Sequence, residues 1–117
     1  KVAWYENSGG GVFGAQQVIS TSANQASCVY AIDLDGDGDS DVLSASSADN
    51  KVAWYENLGA GSFGPQKVIT SSANGAMSVC AADLDGDGDP DVLSASLADN
   101  KIAWYESNRG RNQMFCD

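Results

Sequence analysis

The heptapeptide KVAWYEN begins at Lys1, recurs unchanged at Lys51 and returns as KIAWYES at Lys101. The spacing is 50 residues, and aligning 1–50 with 51–100 gives 36 identical positions in 50. Such a chain does not build one irregular core. Each repeat must be the same supersecondary unit, stacked on its neighbour, with most of its buried surface supplied by the next unit. A feature that recurs belongs to the unit, and one that does not is local.

One unit reads as four β-strands. ASCVYAI (26–32) is rich in β-branched and aromatic residues and ends at an aspartate-rich loop; DVLSAS (41–46) follows it. The turn ADN (48–50) leads to KVAWYEN (51–57), a glycine-rich loop LGAGSFG (58–64), and PQKVIT (65–70), with Pro65 where a sheet edge tolerates proline. No segment keeps a helical period. The expected fold is all-β, and four antiparallel strands per ~50 residues is the size of one β-propeller blade. In VAWY, Val52 and Trp54 face one way and Ala53 and Tyr55 the other, none charged; this suits a sheet covered on both faces better than the half-wet sheets of a β-sandwich.

Counting strands from the axis outward gives a partial blade at 1–20, with the third (1–7) and fourth (15–20) strands. A full blade spans 26–70, and a blade lacking its outer strand spans 77–106, with strands at 77–82, 91–96 and 101–106. The tail 107–117 shows no fourth strand. Two blades do not make a ring, since propellers have about four to eight. The expectation is therefore a homo-oligomer in which each chain gives two blades and exchanges terminal strands. A dimer then makes four blades, a trimer six and a tetramer eight, the trimer being favoured. The alternative is that the 117 residues are a fragment of a longer single-chain propeller.

Charge points to a cation. The formal net charge is −10, and ten of the 16 acidic residues lie in two loops, DLDGDGDSD (33–41) and DLDGDGDPD (83–91). Six Lys and Arg give no basic face for nucleic acid, and no apolar run is long enough to span a membrane. The loops carry Asp33, Asp35, Asp37, Asp39 and Asp41 in one repeat and Asp83, Asp85, Asp87, Asp89 and Asp91 in the next. Alternate oxygens on a tight loop converge on one point, and Gly38 permits the sharp turn. Hard oxygen donors in that number suit Ca²⁺, and with no histidine in the chain no softer ligand is offered. Two Ca²⁺ per chain are expected. Calcium loops of this spacing imply side-chain ligation by Asp33, Asp35, Asp37 and Asp41, with Asp39 giving its main-chain carbonyl and turning its carboxylate to solvent. An EF-hand is excluded, because the twelfth position is Ser44 or Ser94 and the flanks are strand-like.

Cys28, Cys80 and Cys116 are not a repeated framework, since Cys28 aligns with Ser78 and Cys80 with Tyr30. Cys28 and Cys80 read as small buried hydrophobes, and Cys116 as the candidate for a bond.

The pattern AADLDGDGDPDVLSAS followed by KIAWYE, with NLGAGSFGPQ between repeats, resembles the FG-GAP/VCBS repeat family, related to the blades of integrin α-subunit propellers and of some lectins. The likeness covers about 105 residues, and Phe13-Gly14 and Phe63-Gly64 match the family's Phe-Gly. LSAS stands where the Gly-Ala-Pro half of the name would be, and the Phe-Gly precedes the fourth strand, which weakens any transfer of integrin ligand binding. The resemblance implies calcium-binding propeller blades.

An enzyme is not expected. Without histidine there is no Ser-His-Asp or Cys-His arrangement, and Glu6, Glu56 and Glu106 sit at equivalent positions, poor material for an acid–base pair. The expected function is a binding module, secreted or at the cell surface, lectin-like and multivalent toward glycan. Trp54 and Tyr55 would stack on sugar rings, with Asn57 and Asp49 giving polar contacts; Trp4, Tyr5, Trp104 and Tyr105 are their equivalents. The opposing reading makes these aromatics inter-blade core. A self-assembling scaffold with no ligand beyond calcium is the alternative function.

Overall fold

The computed structural model describes residues 1–107, and every described element is a β-strand. In chain order they are β1 (Val2–Trp4), β2 (Asn7–Gly9), β3 (Val12–Phe13), β4 (Gln17–Ser20), β5 (Ala26–Ile32), β6 (Asp41–Ser46) and β7 (Lys51–Tyr55). Then come β8 (Asn57–Gly59), β9 (Ser62–Phe63), β10 (Lys67–Thr70), β11 (Ala76–Ala82), β12 (Asp91–Ser96) and β13 (Lys101–Tyr105). The order β10-β7-β6-β5 makes a four-stranded antiparallel middle sheet. A first sheet holds only β1 and β4, and a third holds β11, β12 and β13. The strand content expected of each repeat is met, and the sheets do not close on themselves among the described residues. The candidate disulfide residue Cys116 and the tail beyond 107 lie outside the described residues.

One difference concerns the glycine-rich stretch 58–64, read as a loop. It forms a second small hairpin, β8–β9, and β2–β3 repeats it. Ala60 and Gly61 both have positive φ, 53° and 77°, the left-handed pair that lets a two-residue turn follow the twist of its strands. The Gly64 N–H then donates to Glu56 O at 2.8 Å, and Gly14 does the same to Glu6 O. The Phe-Gly pair thus closes the hairpin against the end of the preceding strand.

The core lies between the middle and third sheets. Leu43, Ala45 and Val52 from the middle sheet meet Ala76, Val79, Ala81 and Val92 from the third. These small and branched residues let two covered sheets approach closely, and β5 and β6 both contact β11. Val52, Ala53 and Tyr55 are all buried, as expected of a sheet covered on both faces. The Tyr55 hydroxyl, 0 % exposed as a residue, bonds Ser44 Oγ and Gln66 Nε2, each at 3.0 Å. Cys80 is exposed, correcting its reading as a buried hydrophobe; Cys28 is half-buried.

Polar groups hold the two sheets together at the turn. Asn50 sits at φ 59°, and its main-chain O and side-chain Oδ1 accept the N–H groups of Ala73 (3.2 Å) and Gly75 (2.9 Å). The Ser27 hydroxyl donates to Ala76 O at 2.8 Å. Asparagine tolerates this backbone because its side chain bonds locally, and here the bond spans repeats.

Candidate metal centre

Each aspartate loop joins an inner strand to its neighbour, β5 to β6 and β11 to β12. Gly36 and Gly38 have φ of 79° and 94°, which bends the chain back on itself within five residues. Oxygens of Asp33, Asp35, Asp37 and Asp41 then lie within 4.8 Å of one another, and those of Asp83, Asp85, Asp87 and Asp91 do the same. Oxygens on opposite sides of a Ca²⁺ are about 5 Å apart, given Ca–O distances of ~2.3–2.6 Å, so the four carboxylates fit around one such ion. Asp39, expected to ligate through the main chain, and its equivalent Asp89 are outside the side-chain clusters. Asp39 is exposed, whereas Asp89 in the second loop is only 9 % exposed.

Backbone N–H groups organise the carboxylates. Asp33 accepts from Gly36 (2.8 Å) and Gly38 (2.9 Å), and the Gly38 bond is the main reason its carboxyl is held below the usual range. Asp37 accepts from Asp39 N at 2.9 Å. Asp41 is buried and accepts from Leu34 N at 2.9 Å and Asn57 N at 2.8 Å. Asp35 is pushed up to about 6, first by desolvation and then by the charge of Asp41. Asp85 is also raised to about 6, by desolvation and then by its bond with Glu106. A site that raises the pKa of its own ligands favours a positive charge at its centre.

The repeat, the β-flanked aspartate loop and the Phe-Gly hairpin closure coincide with one family. The FG-GAP-like repeat model matches residues 1–44 and 33–94. The chain belongs to the FG-GAP-like repeat family. No curated protein matches it. In this family member the Phe-Gly pair closes the β8–β9 hairpin, and the aspartate loop lies at the same end of the unit, where Asp41 and Ser40 O bond the first hairpin residue, Asn57.

The residues proposed for sugar contact from the sequence do not form one surface. Tyr55 is buried between sheets and has no face to offer a ring, which corrects that assignment. Asp49 accepts from Ser46 Oγ and Asn24 N and pairs with Lys51 at 3.3 Å; these contacts outweigh burial and hold its carboxyl low. Asn57 Oδ1 accepts the Gly59 N–H at 2.8 Å, and its Nδ2–H donates to Ser40 O at 2.9 Å. Both are engaged in turn geometry. Trp54 is half-buried, with Lys67 Nζ 4.7 Å from the ring centre. It lines a cleft of ≈ 220 Å³ with Leu34, Ile69, Val92 and Tyr105, and with Asp35 and Glu106 at its polar side. Sequence reasoning missed Tyr105 as the partner of Trp54: they are one period apart plus one residue, and only stacking of repeats makes them neighbours.

Proposed function

We propose that this chain is a calcium-stabilised stretch of β-propeller that serves as an extracellular binding module, with carbohydrate as its ligand class. The observation that carries the reading is the duplicated cluster of four aspartate oxygens within 4.8 Å, on loops that join strands of the same sheet. An ion there ties the first strand of a blade to its second and holds Asp35, which also lines the cleft. An affinity in the weak range of extracellular calcium modules, about 10⁻⁴–10⁻³ M, is in keeping with the secreted or cell-surface setting of this proposal.

The ligand reading rests on the Trp54–Tyr105 cleft. An aromatic wall with carboxylates at one side matches the amphipathic faces of a sugar ring, apolar C–H on one side and hydroxyls at the edge. A glycan array probed in calcium tests it, with Trp54→Ala as the control. Binding lost in Trp54→Ala but kept in Asp87→Asn supports the lectin role. A blank array with intact calcium binding leaves the second reading, a repeat scaffold, which the close identity of the units favours.

A further inference from the structure

The repeats make it possible to compare the same residue in two surroundings. Val79 on β11 is 3 % exposed because the middle sheet covers it, whereas its equivalent Val29 on β5 is 56 % exposed. Ala81 is buried and its equivalent Ala31 exposed. The strands that would cover Val29 and Ala31 are missing from the first sheet, which holds only β1 and β4. In their place is a trough of ≈ 190 Å³ lined by Val2, Trp4, Ile19, Val29, Ala31 and Val42. Beside it runs the open edge of β1, which pairs with β4 alone among the described strands, whereas its equivalent β7 pairs with both β10 and β6. An apolar trough next to an unpaired strand edge is a place for a hairpin.

The third sheet is complementary. It has inner strands β11 and β12 but, among the described residues, no partner on the outer edge of β13. Leu93 and Ala95 are only half-buried, although the same positions in the middle sheet, Leu43 and Ala45, are 1 % and 0 % exposed. The clamp between repeats is also unmatched at both ends. Asn50 receives the N–H groups of Ala73 and Gly75, but among the described residues nothing equivalent reaches Asn100, which shares its positive φ of 56°. Nor do Ala23 and Gln25 reach an asparagine from an earlier repeat.

We infer that a second copy of this chain docks head-to-tail by strand exchange: the β11–β12 hairpin of one copy fills the trough of the next and pairs with its β1, in the place β13 holds within a single chain. One register satisfies all three vacancies. β12 pairs with β7-type residues as Leu43↔Trp54, Ser44↔Ala53 and Ala45↔Val52, so across copies Leu93 meets Trp4, Ser94 meets Ala3 and Ala95 meets Val2. That register sets Asn100 against Ala23 and Gln25 of the other copy, repeating the Asn50 clamp. It yields a four-stranded sheet in the order β4-β1-β12-β11, the order of the middle sheet. Expelling β13 gives up the packing of Tyr105 on the core and its bond with Ser94, which Tyr5 of the second copy, at the equivalent position, takes over along with its place in the Trp54 cleft. Ile102 and Trp104 are already 77 % and 48 % exposed, and the ladder is replaced by a strand of nearly the same sequence. The gain is burial of Val29, Ala31, Leu93 and Ala95 within one continuous four-stranded sheet, the β1–β4 pairing being kept. Docking without exchange leaves the trough empty and the clamp unmatched. The inference does not rest on the calcium or glycan readings, and it keeps the cleft of the latter with Tyr5 of the second copy in place of Tyr105.

Light scattering of the 117-residue chain and two variants tests it. The unsubstituted chain is expected at a multiple of 12.1 kDa. Val29→Asp places a charge on a surface that is open in one chain and sealed in the assembly, so it is expected to stay folded by circular dichroism and drop to a single-chain mass. Ile102→Asp lies on the expelled strand and is expected to assemble as well as the parent. If Val29→Asp does not fold, Val29→Ser is read instead, with assembly weakened at least about tenfold, roughly the effect of 1.4 kcal/mol. A folded single-chain mass for the parent overturns the inference and assigns these faces to another occupant, such as a further repeat of a longer polypeptide. Assembly retained by Val29→Asp overturns it too, and loss of assembly in Ile102→Asp replaces exchange with face-to-face docking.

Discussion

The carboxylate of Asp41 accepts the main-chain N–H of Asn57 at 2.8 Å, and one repeat later Asp91 accepts that of Ser107 at the same distance. The second oxygen of each takes the N–H of Leu34 or Leu84 at 2.9 Å. The last aspartate of the loop therefore spans the start of the metal cluster and the end of the neighbouring strand, whatever else it ligates. Asp41→Ala leaves three backbone donors, of Leu34, Asp35 and Asn57, without their acceptor in a buried or part-buried setting. The expected loss is about 1–3 kcal/mol, measured by denaturant unfolding in excess chelator so that calcium plays no part. An unchanged midpoint would show that the aspartate acts through the ion alone.

Calcium titration by calorimetry is expected to give two ions per chain, one for each cluster of four aspartates. Asp87→Ala should leave one. Because the ion binds the folded state, calcium at a hundredfold excess over Kd adds about 2.7 kcal/mol of stability for each site that forms only on folding. A melting temperature that ignores chelator would contradict the proposed role.

In chelator the pH dependence has two opposing parts. Asp35 and Asp85 have folded values raised to about 6 from 3.8, so the folded chain holds more protons between these values and stability falls as pH rises through that window. Asp33, Asp49 and Asp99 are lowered, so their contribution is full above the ordinary carboxylate value and is lost as pH falls through their folded values. Stability without metal is thus expected to peak on the acid side, near the crossing of the two trends. Saturating calcium should remove the decline between about pH 4 and pH 6, since bound metal replaces the protons. Melting curves at fixed ionic strength read both effects; a metal-free optimum above pH 7 would contradict the assignment.

Tyr55 and Tyr5 occupy the same position of their repeats but differ in exposure, 0 % against 50 %. Tyr55→Phe removes a buried hydroxyl bonded to Ser44 and Gln66 and is expected to cost about 0.5–1.5 kcal/mol. In a single chain Tyr5→Phe gives up only an exposed bond from Gln16 and is expected to stay within about 0.5 kcal/mol of the parent, whereas in the strand-exchanged assembly, with Ser94 of the second copy beside Tyr5, the two costs are expected to converge. Equal costs in urea unfolding would mean that the first sheet is covered in solution as the middle one is.

The strands were largely legible because their signals are local. ASCVYAI and DVLSAS were expected at 26–32 and 41–46 and form strands at those bounds. The aspartate loop was legible for the same reason: alternate acids around glycine fix ligand chemistry and turn geometry within nine residues. The β8–β9 hairpin was missed because glycine-rich sequence weakens the strand signal, although Gly59 through Gly61 carried the turn residues such a hairpin needs. What sequence alone determined was the repeat unit, its strand order and the donor set of its loops, all governed by residues close along the chain. Only the tertiary structure decided which copy of a repeated residue is core and which is surface. Val29 and Val79, or Tyr5 and Tyr55, have the same side chain and the same place in the unit. Burial is set by the neighbouring sheet, which no property of the residue itself encodes.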